Sequence, residues 1–199
     1  MSRLKIESAR RQLGTALALF LDDRDPVSVH CLAGGGCELI EHYAKKAGTE
    51  PVTTHMLKTN PDMNIKKLRR VQRQYWTGFK HATHQHSGME RDDDDLLSQF
   101  TDEQNDSALF IGWYDYAQAT KKMPVEAQVH QVWYVALHPD KLNPKFSKEP
   151  YEATFPDLQT KPRAEQKRML NEFIERARAE KEVMGDPRTD TRGLMLSWR

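Results

Sequence analysis

His81, His84 and His86 fall within six positions, and the acidic run Asp92 to Asp95 follows them. Imidazole nitrogens and carboxylates are ordinary metal ligands, so His81, His84 and His86 are the candidate metal ligands of a metal-dependent enzyme. The same residues also fit a polar loop that leads into an acid-started helix, where negative charge favours the helix dipole. A second pattern lies just upstream. Lys66, Arg70, Arg73 and Lys80 recur at helical spacing, with Arg69 at their border, beside an aromatic stripe that ends in Phe79-Lys80-His81-Ala82. A cationic row on one helix face is what phosphates are met with, so these residues are candidates for contact with nucleic acid or a nucleotide, and equally fit a solvated helix face. Glu126 and His130 stand four apart and share a face, which predicts a hydrogen-bonded pair. They lack the repeated Glu-x-x-His spacing of carboxylate-bridged metal bundles.

The chain excludes several chemistries. It contains no Gly-x-Ser-x-Gly, no dinucleotide fingerprint, no phosphate-loop motif and no His-Glu-x-x-His, so orthodox hydrolases and dehydrogenases are disfavoured. Thirty basic and 29 acidic residues leave a net charge of +1, so any electrostatic reading must be local. Cys31 and Cys37 lie six apart in an apolar helical stretch. They point to different faces, which predicts buried thiols in a reducing, cytoplasmic setting. The charged start, Met1 to Glu7, has no look of a cleavable signal, and no apolar run approaches membrane-spanning length.

The elements that must position these residues are helical. A length of 199 residues with 38% hydrophobic, 30% charged and 9% aromatic residues, and a mean hydropathy of -0.80, suits amphipathic helices with well-solvated outer faces. Ile6, Leu13, Leu17 and Phe20 predict a first helix over about 3–22. Asp25 as cap and Pro26 in the first turn open a second, to Lys46, with Gly48 beyond its end. Gly34-Gly35-Gly36 inside it needs a reason, since each glycine costs about 1 kcal/mol against alanine. Close packing against Gly14, Ala16 and Ala18 of the first helix is the expectation, with a kink or a ligand at the backbone as the alternatives. Residues 50–61 read as a connection. Further helices are expected at about 62–82, at 92–120 with a weak polar middle over 101–107, and from Pro124 to a stop at Pro139. Residues 138–162, punctuated by five prolines, read as an extended strap held down by Tyr151, Phe155 and Leu158. A charged helix over about 163–183 has only a narrow apolar stripe, which predicts a peripheral element or one that docks on a partner. The tail from Gly185 reads as flexible, with Leu194, Met195, Leu196 and Trp198 as anchors at its end.

The fold expected is all-α: a helical bundle over 1–137 opening with an antiparallel helical hairpin, then a proline-rich strap, a charged C-terminal helix and a tail over 138–199, packed on the bundle or extending from it.

Two resemblances bear on function. Ala9-Arg10-Arg11-Gln12-Leu13, Asp25-Pro26-Val27-Ser28-Val29-His30 with Leu32-Ala33, and Phe79-Lys80-His81-Ala82 resemble a family of small bacterial helical proteins of rhizobial type, a likeness over roughly residues 7–137 that implies common descent and no particular activity. More distantly, the opening hairpin resembles the HEPN superfamily of compact helical bundles, many of them metal-independent ribonucleases. Its signature is an arginine followed four to six residues later by a histidine. The nearest counterpart here is Arg73 with His81, with seven residues between them. The resemblance implies His81 as general acid or base and Arg73 as holder of the scissile phosphate. Three readings therefore stand: a HEPN-like module contacting nucleic acid or nucleotide, a metal-dependent enzyme, and a helical interaction protein that forms a homodimer. The residues name no cofactor and leave open whether a reaction is catalysed.

Overall fold

The computed structural model describes residues 2–59, 62–84, 86–141 and 146–197. Two long helices open the chain, α1 (Arg3–Leu21) and α2 (Pro26–Lys46). Asp25 caps α2, its carboxylate accepting from the Ser28 amide at 2.9 Å and the Val27 amide at 3.4 Å, with Pro26 in the first turn. The four-residue link makes the pair antiparallel. Ala9, Leu13, Ala16, Leu17 and Phe20 of α1 face Val29, Ala33, Ile40 and Tyr43 of α2 in a buried seam. The expected hairpin is thus present, with the expected cap.

The rest of the bundle is α3 (Val52–Thr59), α4 (Ile65–Lys80), α5 (Asp94–Leu97), α6 (Gln104–Thr120) and α7 (Val125–Leu137). Helix α6 packs along α2 with Leu109 and Trp113, and α7 closes the core with Trp133 and Tyr134. Downstream come α8 (Glu149–Thr154), α9 (Arg163–Ala179) and α10 (Lys181–Gly185). The fold is all-α, and among the described residues no strand forms and no helix is long and apolar enough to cross a membrane.

Several boundaries differ from the expectation, each for a visible reason. The connection over 50–61 contains α3, because the Asp115 carboxylate of α6 accepts from the Val52 amide at 2.9 Å and caps it from outside. Helix α4 starts at Ile65 because the Asn64 side chain accepts from the Lys67 amide at 2.9 Å. The expected helix over 92–120 is two: Gln104 accepts from the amide and hydroxyl of Thr101 and starts α6 afresh after the polar stretch. The described residues of the strap form short helical turns rather than extended chain, although Phe155 and Leu158 are buried as expected. The C-terminal helix turns at Glu180, whose backbone is extended.

That helix is not peripheral. Leu170 and Ile174 of α9 pack against α7, and its charges pair inside. Arg163 makes a two-pronged contact with Asp106, at 2.6 and 2.9 Å. Lys167 reaches Asp23 at 2.7 Å and Asp102 at 3.1 Å. The tail is held too. Arg10, fully buried on α1, donates to Asp190 at 3.1 Å and to the carbonyls of Arg192, Gly193 and Leu194. Leu194 is buried, Met195 is exposed, and Trp198 lies outside the described residues.

Candidate nucleic-acid interface

Helix α4 reads Ile-Lys-Lys-Leu-Arg-Arg-Val-Gln-Arg-Gln-Tyr-Trp-Thr-Gly-Phe-Lys and carries six cations with no acid. Leu68 and Trp76 turn inward and are buried. The cations divide according to what the neighbouring helix offers. Glu41 of α2 is 7% exposed and collects Arg69 at 3.0 Å, Arg73 at 3.2 Å, Lys45 at 2.8 Å and the Thr53 hydroxyl at 3.1 Å. Arg73 also stands 3.6 Å from Glu38. Burial alone would raise the Glu41 carboxyl, but hydrogen bonds from Lys45 and Arg69, with their charges, outweigh it and bring it down to about 2. Arg69 and Arg73 are therefore structural cations. Lys66, Lys67 and Arg70 are exposed and have no ion pair among the described residues. Lys80 is exposed as well, its ammonium 4.3 Å over the Trp76 ring.

His81 caps the C-terminus of α4 and is exposed. Seven residues of helix lie between it and Arg73, eight positions or about 12 Å along the axis, and Arg73 is turned to Glu41 and Glu38. The two do not converge on one phosphate position. His84 and His86 sit on the exposed turn that follows, closed by the His84 amide donating to the Met89 carbonyl at 2.8 Å. Among the described residues no three His, Cys, Asp or Glu side chains are grouped to hold a metal ion. Glu126 and His130 share a face but not a bond. Glu126 takes Arg178 at 2.5 Å. His130 is fully buried with neither ring nitrogen paired, packed edge-on to Phe20 at 5.7 Å. Its burial pushes it down to about 3, so it is neutral.

The glycine run is a packing device: Gly35 and Gly36 meet the first helix as expected, though at Gln12 and Leu13 rather than at its small residues, and Gly34 meets α4. A Cβ on Gly34 would stand 2.5 Å from the Trp76 indole, and one on Gly36 2.7 Å from Leu13. Gly14 instead makes room for the Leu194 carbonyl. The Gly34 contact seats α4 on α2, and the Gly36 contact seats α1 on α2.

Behind α4 lies a cavity of about 40 Å³, lined among others by His30, Cys37, Glu41, Gln72, Arg73 and Asp115. That is room for a few waters. Asp115 is 1% exposed. One carboxylate oxygen caps α3, and the other has no partner. Burial pushes this carboxyl up to about 7. His30 Nδ1 lies 2.9 Å from the Asn105 carbonyl oxygen, whose amide nitrogen donates to Pro26 at 3.1 Å. That orientation assigns the proton to Nδ1 and leaves Nε2 as an acceptor. Cys37 donates to the Ala108 carbonyl at 3.2 Å, and burial pushes its thiol up to about 12. Cys31 and Cys37 are both free and half-buried. Spacings of seven and four place His30, Cys37 and Glu41 on one face of α2, a signal present in the sequence, whereas nothing local marks Asp115. Compared with protein-family models, with curated proteins and with solved structures, the chain matches none.

Proposed function

We propose that this protein is a helical binding module, HEPN-like in its opening hairpin, that contacts nucleic acid through the outer face of α4. One observation carries the reading: α4 holds six cations and no acid, and the acids of α2 neutralise only Arg69 and Arg73. Lys66, Lys67 and Arg70 are left facing solvent, with Lys80 about 15 Å further along the helix. Phosphates bound there release condensed counterions, so three or four contacts give a log-log salt slope of about -3. No cleavage step belongs to this proposal, because Arg73 is held by Glu41 and lies about 12 Å along the helix from His81. The test is binding of a labelled oligonucleotide by fluorescence anisotropy across about 50 to 200 mM salt. The double variant Lys66→Ala, Arg70→Ala is expected to lose at least about tenfold in affinity and to flatten the slope by about 2, one per lost phosphate contact. Unchanged affinity in that variant overturns the reading.

A further inference from the structure

We propose that the groove between α1, α2 and α4 receives an unpaired nucleobase stacked on Trp76, so that the nucleic acid met by α4 is single-stranded. The inference rests on the reading of α4 above and deepens it. The groove encloses about 420 Å³ and is lined by Gln12, Cys31, Gly35, Glu38, Trp76 and Lys80, with Leu39, a volume in the range of small-ligand sites. Of the α4 cations it borders Lys80, so a strand whose phosphates run along the helix from Lys66 and Arg70 toward Lys80, about 15 Å beyond Arg70, reaches its mouth.

Three features fit a base. Trp76 is buried, with one face seated on α2 where Gly34 has no side chain to displace it and the other covered by Lys80, so moving that one side chain uncovers an aromatic platform. The Lys80 ammonium stands 4.3 Å over that ring, where a stacked base would lie. A solvent-exposed ammonium–indole contact is weaker than a base–aromatic stack, so a base displaces the ammonium, which is then placed to meet the strand's phosphate. The groove wall supplies acceptors. The Gln12 amide nitrogen is spent on the Ser8 hydroxyl at 3.2 Å, leaving its carbonyl oxygen beside Gly35, where a Cβ would stand 2.4 Å away. The Glu38 carboxylate is half exposed and, among the described residues, has only the long 3.6 Å contact to Arg73. Acceptors suit bases that carry an amino group. A paired base inside a duplex cannot enter such a groove, whereas unstacked bases of single strands are read this way.

The experiment compares single-stranded and duplex RNA of equal length, read by anisotropy and by tryptophan emission. Trp113 and Trp133 are fully buried in the core and out of reach of a ligand. A preference for the single strand of at least about tenfold is expected, roughly one base–aromatic stack, with quenching on binding that is lost in Trp76→Phe. Gln12→Ala, at a half-buried position, is expected to weaken binding of an oligoadenylate about fivefold, roughly one hydrogen bond, and decides the matter should Trp76→Phe fail to fold. Equal affinity for duplex and single strand, emission unchanged at saturation, or an unaffected Gln12→Ala variant overturns the stacking inference while leaving the α4 reading in place. No binding to either RNA overturns both.

Discussion

Glu41→Gln separates the structural cations of α4 from the solvent-facing ones. The carboxylate is 7% exposed and accepts from Lys45, Arg69, Arg73 and Thr53. Its pKa falls from 4.5 to about 2 on folding. The native state therefore gains stability from it at pH above about 4.5 and loses that gain as pH falls toward about 2. At about 1.4 kcal/mol per unit, the gain at pH 7 is at most about 3 kcal/mol. Arg69 and Arg73 are 43% and 32% exposed, so water screens part of it. Glutamine keeps the shape and an acceptor oxygen but not the charge. The variant is expected to melt lower at pH 7 by up to about 6–12 °C, with the difference from the parent closing as pH is lowered through 4.5. It also frees two guanidinium groups. Oligonucleotide affinity is expected to rise while stability falls, and the salt slope to steepen by up to about 2. The assay is a pair of measurements on one preparation, a thermal melt by circular dichroism over a pH series and anisotropy over a salt series. A melting temperature equal to the parent's at pH 7 refutes the view that Glu41 organises the inner cations. A steeper slope without loss of stability does so as well.

Two further perturbations probe what holds the site in place. Asp115 carries a pKa pushed up by burial from 3.8 to about 7, so the parent loses stability as pH rises from about 4 through 7. Asp115→Asn is expected to be the more stable protein at pH 8, by at most about 4 kcal/mol, and its equal near pH 4 in urea titrations. An asparagine variant that is weaker at pH 8 contradicts the account. Arg10→Met removes the buried partner of Asp190 and of three tail carbonyls. It should cost about 3–5 kcal/mol and open the tail to trypsin at Arg188 and Arg192, and an unchanged digestion pattern argues against the pin.

What could be read from the sequence follows from where each residue's partner sits. The hairpin was legible because Asp25, Pro26 and Ser28 settle the start of α2 among themselves. Helix α3 was not, because its cap, Asp115, comes from 63 positions downstream. The tail looked flexible because the residue that pins it, Arg10, precedes Asp190 by 180 positions. The glycine run read correctly as packing, and Gly35 and Gly36 do meet the first helix, at Gln12 and Leu13 rather than at its small residues, whereas Gly34 meets Trp76 of α4, since helical periodicity says which positions share a face and not which helix arrives there. Arg73 shows the same limit inside the candidate site. On the helical wheel it belongs with Lys66 and Arg70, and the acids of another helix, Glu38 and the buried Glu41, draw it inward. Lys66 and Arg70 kept the surface place the sequence suggested because no distant group acts on them. A surface cation is legible to the extent that the fold leaves it alone, and in this chain that is also what leaves it available to a phosphate.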